Sequence, residues 1–165
     1  MTGAPASWKD LDVDLPLYAD PAFFQLLAGS YARLLGRPLV AEPLPAEAAS
    51  HWLYEEAPFA VLAHNTDADP RFIYGNKAAQ RRFEYSWDEI TRLPSRLSAE
   101  APNREERQRF LERVQRIGYE EGYRGVRITK SGKRFMIEQA TLWQLRDDSG
   151  MLHGQAVIIP RTADL

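Results

Sequence analysis

PFAVLAHNTDADPRFIYGNKAAQRRF, residues 58–83, decides how the rest of the chain must fold. Its apolar run Phe59–Ala63 is short and is bounded by Pro58 and by polar His64 and Asn65, the pattern of a buried strand. Thr66-Asp67-Ala68-Asp69-Pro70 bends chains through local side-chain bonding and the fixed φ of proline. Phe72-Ile73-Tyr74 is predicted as a second strand, broken by Gly75 and Asn76. Lys77–Phe83 is then predicted as a helix with Asn76 as its N-cap, accepting from the orphan amides of the first turn. Ala79 and Phe83 lie four apart and share a face, and small Ala78 and Ala79 let that helix approach a sheet closely. A hairpin and one helix do not make a sheet with a core, so the later chain must supply further strands.

Working back toward the N-terminus, Asp20-Pro21 is a helix start, with Asp as N-cap and Pro at the first helical position. The predicted helix runs to about Leu35, with Phe23, Leu27 and Tyr31 in one apolar row and Phe24, Leu34 and Leu35 widening it. Gly36 ends it and Pro38 prevents continuation. Residues 37–45 hold three prolines and form a connector, and a second helix is predicted from Ala46 to Glu56. Helix 21–35 has too much apolar surface to stand free, so it packs on its own domain or on a second copy.

Working forward, Ser86 with Glu89 three residues later matches a capping box and starts a short helix. Asn103 is predicted to cap a charged helix over about Arg104–Gly118, whose Phe110, Leu111, Val114 and Ile117 follow helical spacing. Its charges are of mixed sign, which marks a solvated face rather than a nucleic-acid contact. Tyr123–Thr129 alternates, with Val126 and Ile128 opposite Arg127 and Thr129. Lys130-Ser131-Gly132-Lys133 is a hairpin turn with glycine where a positive φ is needed. Phe135–Leu145 is a long strand, with Phe135, Ile137 and Trp143 expected on one face and Met136, Ala140 and Leu142 on the other. Arg146–Gly150 is a second turn and Leu152–Ile159 the closing strand, ended by Pro160. Strands joined by tight turns make an antiparallel meander.

The 165 residues suggest one domain, large enough to bury about 70% of its unfolded surface without staples. The net charge of −2 gives no global field toward nucleic acid or anionic membrane. No run of about 18 apolar residues is present, so no transmembrane helix is expected. The N-terminus lacks a charged start followed by an apolar block, so no signal peptide is expected either. The absence of cysteine excludes disulfides, thiol catalysis and thiolate metal sites, and fits a cytoplasmic protein.

The order strand–strand–short helices–long helix–three-strand meander resembles a PAS domain. FIYGNKAAQRRFEYSWDEI resembles the PAS opening, and GVRITKSGKRFMIEQATLWQLRDDSGMLHGQAVII its closing hairpins. More specifically, the chain resembles the MEKHLA family, a PAS-like group. The match is carried by SYARLLGRPL (30–39), APFAVLAHN (57–65), FIYGNKAAQRRFE (72–84), LPSRLSAE (93–100), YRGVRITKSGKRF (123–135) and LHGQAVI (152–158). The resemblance implies an α+β fold: a PAS-like five-stranded antiparallel sheet with helices on one face, preceded by N-terminal helices. It also implies that strand 58–64 pairs with strand 152–160. Residues 1–19 are then an irregular N-terminal arm, 20–56 a helical extension, 57–160 the PAS-like core and 161–165 a tail.

Chemistry in this fold lies in a pocket between the inner sheet face and the helices, here expected between the face bearing Trp143 and the helices spanning 77–118. Tyr74, Tyr85, Gln139, Trp143 and Gln155 are the candidates for contacts in a largely apolar pocket. Tyr74 and Asn76 match recurrent PAS positions, with strand packing and helix capping as their structural roles. Trp87 and Trp143 suit the core better than a cofactor platform. In light-sensing relatives the closing strand carries a flavin-contacting glutamine, and Gln155 lies in that strand. The resemblance and the lack of a convincing catalytic constellation imply a non-catalytic sensory or regulatory module. It would bind a small apolar ligand or a protein partner, signal to another chain in trans, and pair as a homodimer. Nucleic acid and membrane are not expected partners. Two alternatives stay open. A cone-shaped isomerase or dehydratase would use Glu138 with His64 or Tyr74 as acid–base pair, and a pure dimerisation module would need no ligand.

No cofactor is predicted. Photoactive flavin adducts in this fold need a cysteine, which is absent, whereas non-covalent flavin is not excluded. Haem-binding PAS domains usually take their axial histidine from the long helix, which here has none. His51, His64 and His153 show no metal-ligand spacing. The absorption spectrum of the purified protein is therefore expected to show no Soret band and no flavin band that blue light bleaches and darkness restores. Either band would refute the expectation.

Overall fold

The computed structural model describes residues 15–165, the side chains of 101–104 and 107 excepted. The decisive stretch forms β1 (Ala60–His64), β2 (Phe72–Gly75) and α3 (Lys77–Phe83). Before it come α1 (Pro21–Leu35) and α2 (Ala46–Glu55). After it come α4 (Trp87–Ile90), α5 (Ala101–Ile117), β3 (Tyr119–Ile128), β4 (Arg134–Arg146), β5 (Leu152–Ile159) and β6 (Arg161–Asp164). Asp20 caps α1 by accepting from Ala22 N, and Ser86 and Glu89 form the reciprocal capping box of α4. The long helix starts earlier than its polar pattern suggests. Glu100 is the N-cap, and Asn103 lies inside the first turn, because Pro102 needs no N–H partner there and its fixed φ is already helical. Of the expected N-terminal arm, residues 1–14 lie outside the described residues, and Leu17–Ala19 form one 3₁₀ turn.

The sheet is antiparallel in the order β2-β1-β5-β4-β3. β1 and β5 are neighbours, with Ala60 opposite Ile159 and His64 opposite Gln155. The five strands are joined by a sixth. Residues 161–165, expected as a tail, contain β6, which pairs with β4. The register does not change across Pro160: Ile158 faces Thr141, and three residues on, Arg161 faces Glu138, three residues back. Pro160 thus falls opposite Gln139. Gln139 has φ +56 and sits in a bulge, a place where a proline without an N–H costs the ladder little.

That bulge reassigns the faces of β4. Phe135 and Ile137 before it share an apolar cluster with Ala140 and Leu142 after it, whereas Trp143 and Leu145 join a different cluster. Strict alternation places Trp143 with Phe135 and Ile137, and one extra residue moves it to the opposite face. β2 carries a second irregularity beside Ile73. His64 pairs with Phe72 but Ala63 with Tyr74, so Phe72 and Tyr74 enter different clusters despite their spacing of two.

The two clusters are the two faces of the sheet. On one, α3, Ile90 of α4 and α5 cover Leu62, Phe72, Ile137, Leu142 and Ile159. On the other, α1 and α2 cover Val61, Ala63, Tyr74, Trp143 and Ala156. The N-terminal helices are therefore the second layer of the core. Trp143 is fully buried, donates Nε1–H to Leu27 O at 3.3 Å and meets Tyr31 edge-on at 4.9 Å. Tyr18, Tyr54, Tyr74 and Trp87 form an aromatic group beside it, with Tyr18 stacked on Tyr54 at 4.2 Å.

Asn76 ties the layers together. It is fully buried. Its Oδ1 accepts from Ala79 N of α3 and Val61 N of β1, both at 3.0 Å, and its Nδ2 donates to Leu53 O of α2 and to Phe59 O, also at 3.0 Å. Asn76→Ala would strand two buried donors and two buried acceptors, and is expected to cost about 3–5 kcal/mol in urea denaturation. Asn76→Asp keeps the acceptor half but sets a buried carboxylate against Leu53 O and Phe59 O, and is expected to cost at least as much as the alanine variant. A loss below 1 kcal/mol for the alanine variant would show that the network is dispensable.

Candidate functional site

Between the inner sheet face and α3 and α5 lies a cavity of about 50 Å³. Its walls are chiefly apolar, from Leu62, Phe72, Phe110, Ile137, Leu142 and Ile159, and its polar lining comes from His64, Ser98, Tyr123, Arg127 and Gln155. A surface depression of about 220 Å³ shares His64, Leu111 and Gln155 with it and opens between α5 and the β1–β2 turn. β5 approaches β1 closely at this rim. A Cβ on Gly154 would lie 2.0 Å from His64 O, so only glycine fits there.

Tyr123, Gly125 and Arg127 alternate along β3 and point inward; Val126 and Ile128 are half-buried on the opposite side. The sequence suggests the reverse, because apolar residues mark the buried side of an alternating strand. Arg127 is only 7% exposed. Its Nη2 donates to Tyr123 Oη at 3.0 Å and its Nη1 to Val126 O at 2.8 Å, with the guanidinium carbon 5.3 Å from the Tyr123 ring centre. Gly125 makes this possible, since a Cβ there would lie 2.6 Å from Tyr123 Oη and 3.2 Å from Arg127 Nη1. Phe110 of α5 packs on the Tyr123 ring at 3.9 Å. Gln155 brings a buried Oε1 with no hydrogen-bond partner among the described residues.

Of the five residues selected from the sequence, Gln155 alone lines the cavity. Tyr74 and Trp143 lie on the face covered by α1 and α2, so the sheet separates them from it. The pocket expected on the Trp143 face lies instead on the Leu142 face, for the reason the Gln139 bulge supplies. Tyr85 packs at the edge of the inner cluster, and Gln139 is exposed in its bulge. The sequence does not single out Arg127, Tyr123 or Ser98 for this cavity. The signal for Tyr123 and Arg127 in the sequence is Tyr-x-Gly-x-Arg, where a glycine between two large side chains marks a place for them to close over the backbone; Ser98 carries no such signal.

The acid–base pairs are not assembled. Glu138 lies 3.6 Å from Arg124 and does not line the cavity, whereas His64 does. Burial, with a smaller contribution from Tyr54, holds the Tyr74 phenol far above its ordinary range. No group of three or more His, Cys, Asp or Glu among the described residues is placed to hold a metal ion. No helix among them is long and apolar enough to cross a membrane.

The β4–β5 turn carries a separate electrostatic feature. Asp147 accepts from Ser149 Oγ, His153 Nε2, Met151 N and Ser149 N. The Ser149 bonds first, then His153, hold its carboxyl well below the usual carboxylate range.

The sheet order, with helices inserted between β2 and β3, defines a PAS-like fold, and solved structures agree. An RNA-binding light-oxygen-voltage receptor superposes with a TM-score of 0.61 at 19% identity, covering 75% of this chain and 35% of that one. A PAS domain from Colwellia psychrerythraea gives a TM-score of 0.54 at 16% identity, with 68% and 90% covered. A fungal LOV-domain photoreceptor gives 0.54 at 20%, with 84% and 91% covered. At these identities the likeness is one of fold. The chain belongs to the MEKHLA domain family, whose match spans residues 21–163. No curated protein matches the sequence.

Because the folded-state pKa of Asp147 is depressed, its contribution to stability is full above the unfolded carboxylate value of about 3.9 and is lost as pH falls through the folded value. Asp147→Ala is thus expected to lower Tm by several degrees at pH 7 and by progressively less below about pH 4. Parallel melting curves for the two proteins across that range check it; a gap independent of pH would contradict the assignment.

Proposed function

We propose that this chain is a non-catalytic sensory or regulatory module. It takes up a small, mostly apolar molecule between its inner sheet face and α5, and reports occupancy to a protein partner or a second copy of itself. The observation that carries this reading is the cavity, walled mainly by apolar side chains and sharing His64, Leu111 and Gln155 with a depression at the surface. A catalytic reading has less support, because Glu138 pairs with Arg124 outside the cavity and Tyr74 is on the other face. The volume also bears on the ligand. Sites for drug-sized molecules run to about 300–1,000 Å³, so a cavity of about 50 Å³ suits a molecule of a few heavy atoms and would have to expand for a flavin ring.

Occupancy has a natural route outward. Phe110 and Leu111 of α5 form one wall, and Tyr123 and Arg127 of β3 another. A molecule that fills the space biases the packing of α5 against the sheet, the movable element a two-state sensor needs.

A thermal-shift screen with small metabolites tests the reading, since a ligand that binds only the folded state raises Tm. At least one compound is expected to stabilise the protein saturably. Leu111→Trp, in the wall shared by cavity and depression, is expected to abolish that response while leaving the far-UV circular dichroism unchanged. A screen without any hit, or hits that Leu111→Trp does not affect, would count against a ligand-sensing role and favour a module that works by pairing alone.

A further inference from the structure

We infer that the cavity is a site for a short-chain carboxylate, with the Arg127 guanidinium as its charge partner. The inference rests on the ligand-sensing reading above and names the chemistry of the ligand.

The argument starts from an imbalance of charge. A guanidinium is always ionised and offers five N–H donors. Arg127 is more than nine-tenths buried, yet it spends its bonds on a phenol oxygen and a backbone carbonyl, both neutral. Among the described residues no carboxylate pairs with it, although nine ion pairs of other arginines and lysines occur among those same residues. Burying an unpaired charge is costly, and the sequence goes to some length to do so. Gly125 clears the space, and the Tyr123 ring and hydroxyl fix the guanidinium in place. An anion in the cavity supplies the missing charge.

Shape and lining restrict which anion. A carboxylate presents two coplanar oxygens that match the guanidinium fork, a charge-assisted pairing about twice as strong as a neutral hydrogen bond. Gln155 offers a second polar contact, because its amide can turn about its terminal bond to present either the oxygen or the NH₂ group. The rest of the wall, Leu62, Phe110, Ile137 and Leu142, suits a hydrocarbon tail. A phosphate, with more charge and more acceptors, would meet too few donors here. The volume of about 50 Å³ limits the tail to that of acetate, propionate or butyrate.

Sodium propionate is the probe, compared with sodium chloride at equal ionic strength and with the neutral isostere propionamide. Propionate is expected to raise Tm saturably and propionamide to have little effect. Arg127→Gln is expected to weaken propionate about tenfold or more, the loss of one charged hydrogen-bonded contact. Arg127→Lys, which keeps the charge but not the fork, should fall between. If Arg127→Gln does not fold, the wild-type chain gives the answer by NMR. The Arg127 Nε–H resonance should move saturably with propionate and not with propionamide, and a resonance that stays still with propionate overturns the site. Equal stabilisation by propionamide, or a propionate response unchanged in Arg127→Gln, overturns the carboxylate assignment and leaves the ligand-sensing reading standing. Failure of these probes and of every compound in the wider screen overturns both.

Discussion

Asn76 couples the helices on both sides of the sheet to the strand between them. One buried carboxamide closes the first turn of α3, holds the start of β1 and fixes the end of α2. Each of its bonds replaces a partner that water would otherwise have supplied, in a place water cannot reach. The two layers on either side of the sheet therefore cannot shift independently. α3 belongs to the cavity layer and α2 to the opposite one, and both are referenced to the same side chain.

The second determinant is irregularity. A sheet with strict alternation would bury Trp143 over α5 and leave α1 without its central contact. One residue in a left-handed conformation, Gln139, puts Trp143 under α1 and Leu142 over the cavity. The same bulge receives Pro160, so the last strand runs on as β6 instead of leaving the sheet. A local departure of one residue thus sets what β4 contributes to each core, since the side-chain period of a strand is two and any odd insertion exchanges the faces.

The polar content of the cavity stands apart from this packing logic. Nothing in the hydrophobic core needs a guanidinium at position 127; an apolar residue there would cost less to bury. Tyr123, Gly125 and Arg127 instead form a small polar device whose burial costs stability, the premise of the carboxylate proposed for this cavity. α5 lies over it with Phe110 against Tyr123, so the device and the most charged helix of the chain are mechanically joined.

Short-range signals in the sequence define most of the elements, the strand β6 and the start of α5 excepted. Hairpin, capped helix, capping box and closing meander follow from spacing, turn chemistry and caps, because those signals act between residues a few positions apart. The antiparallel sheet and the family resemblance were legible for the same reason, being carried by segments in order. Which side of each strand faces which layer is set instead by long-range packing. Gln139 gives no local sign that it will adopt a positive φ, and Arg127 beside Val126 and Ile128 has the pattern of an exposed cation. Its burial follows from the arrival of Phe110, Leu142 and Gln155, residues brought beside it by chain folding rather than by sequence proximity. Caps and turns are settled locally, whereas the site depends on the register between strands and on the helix that lies over them, and neither is encoded at a single position.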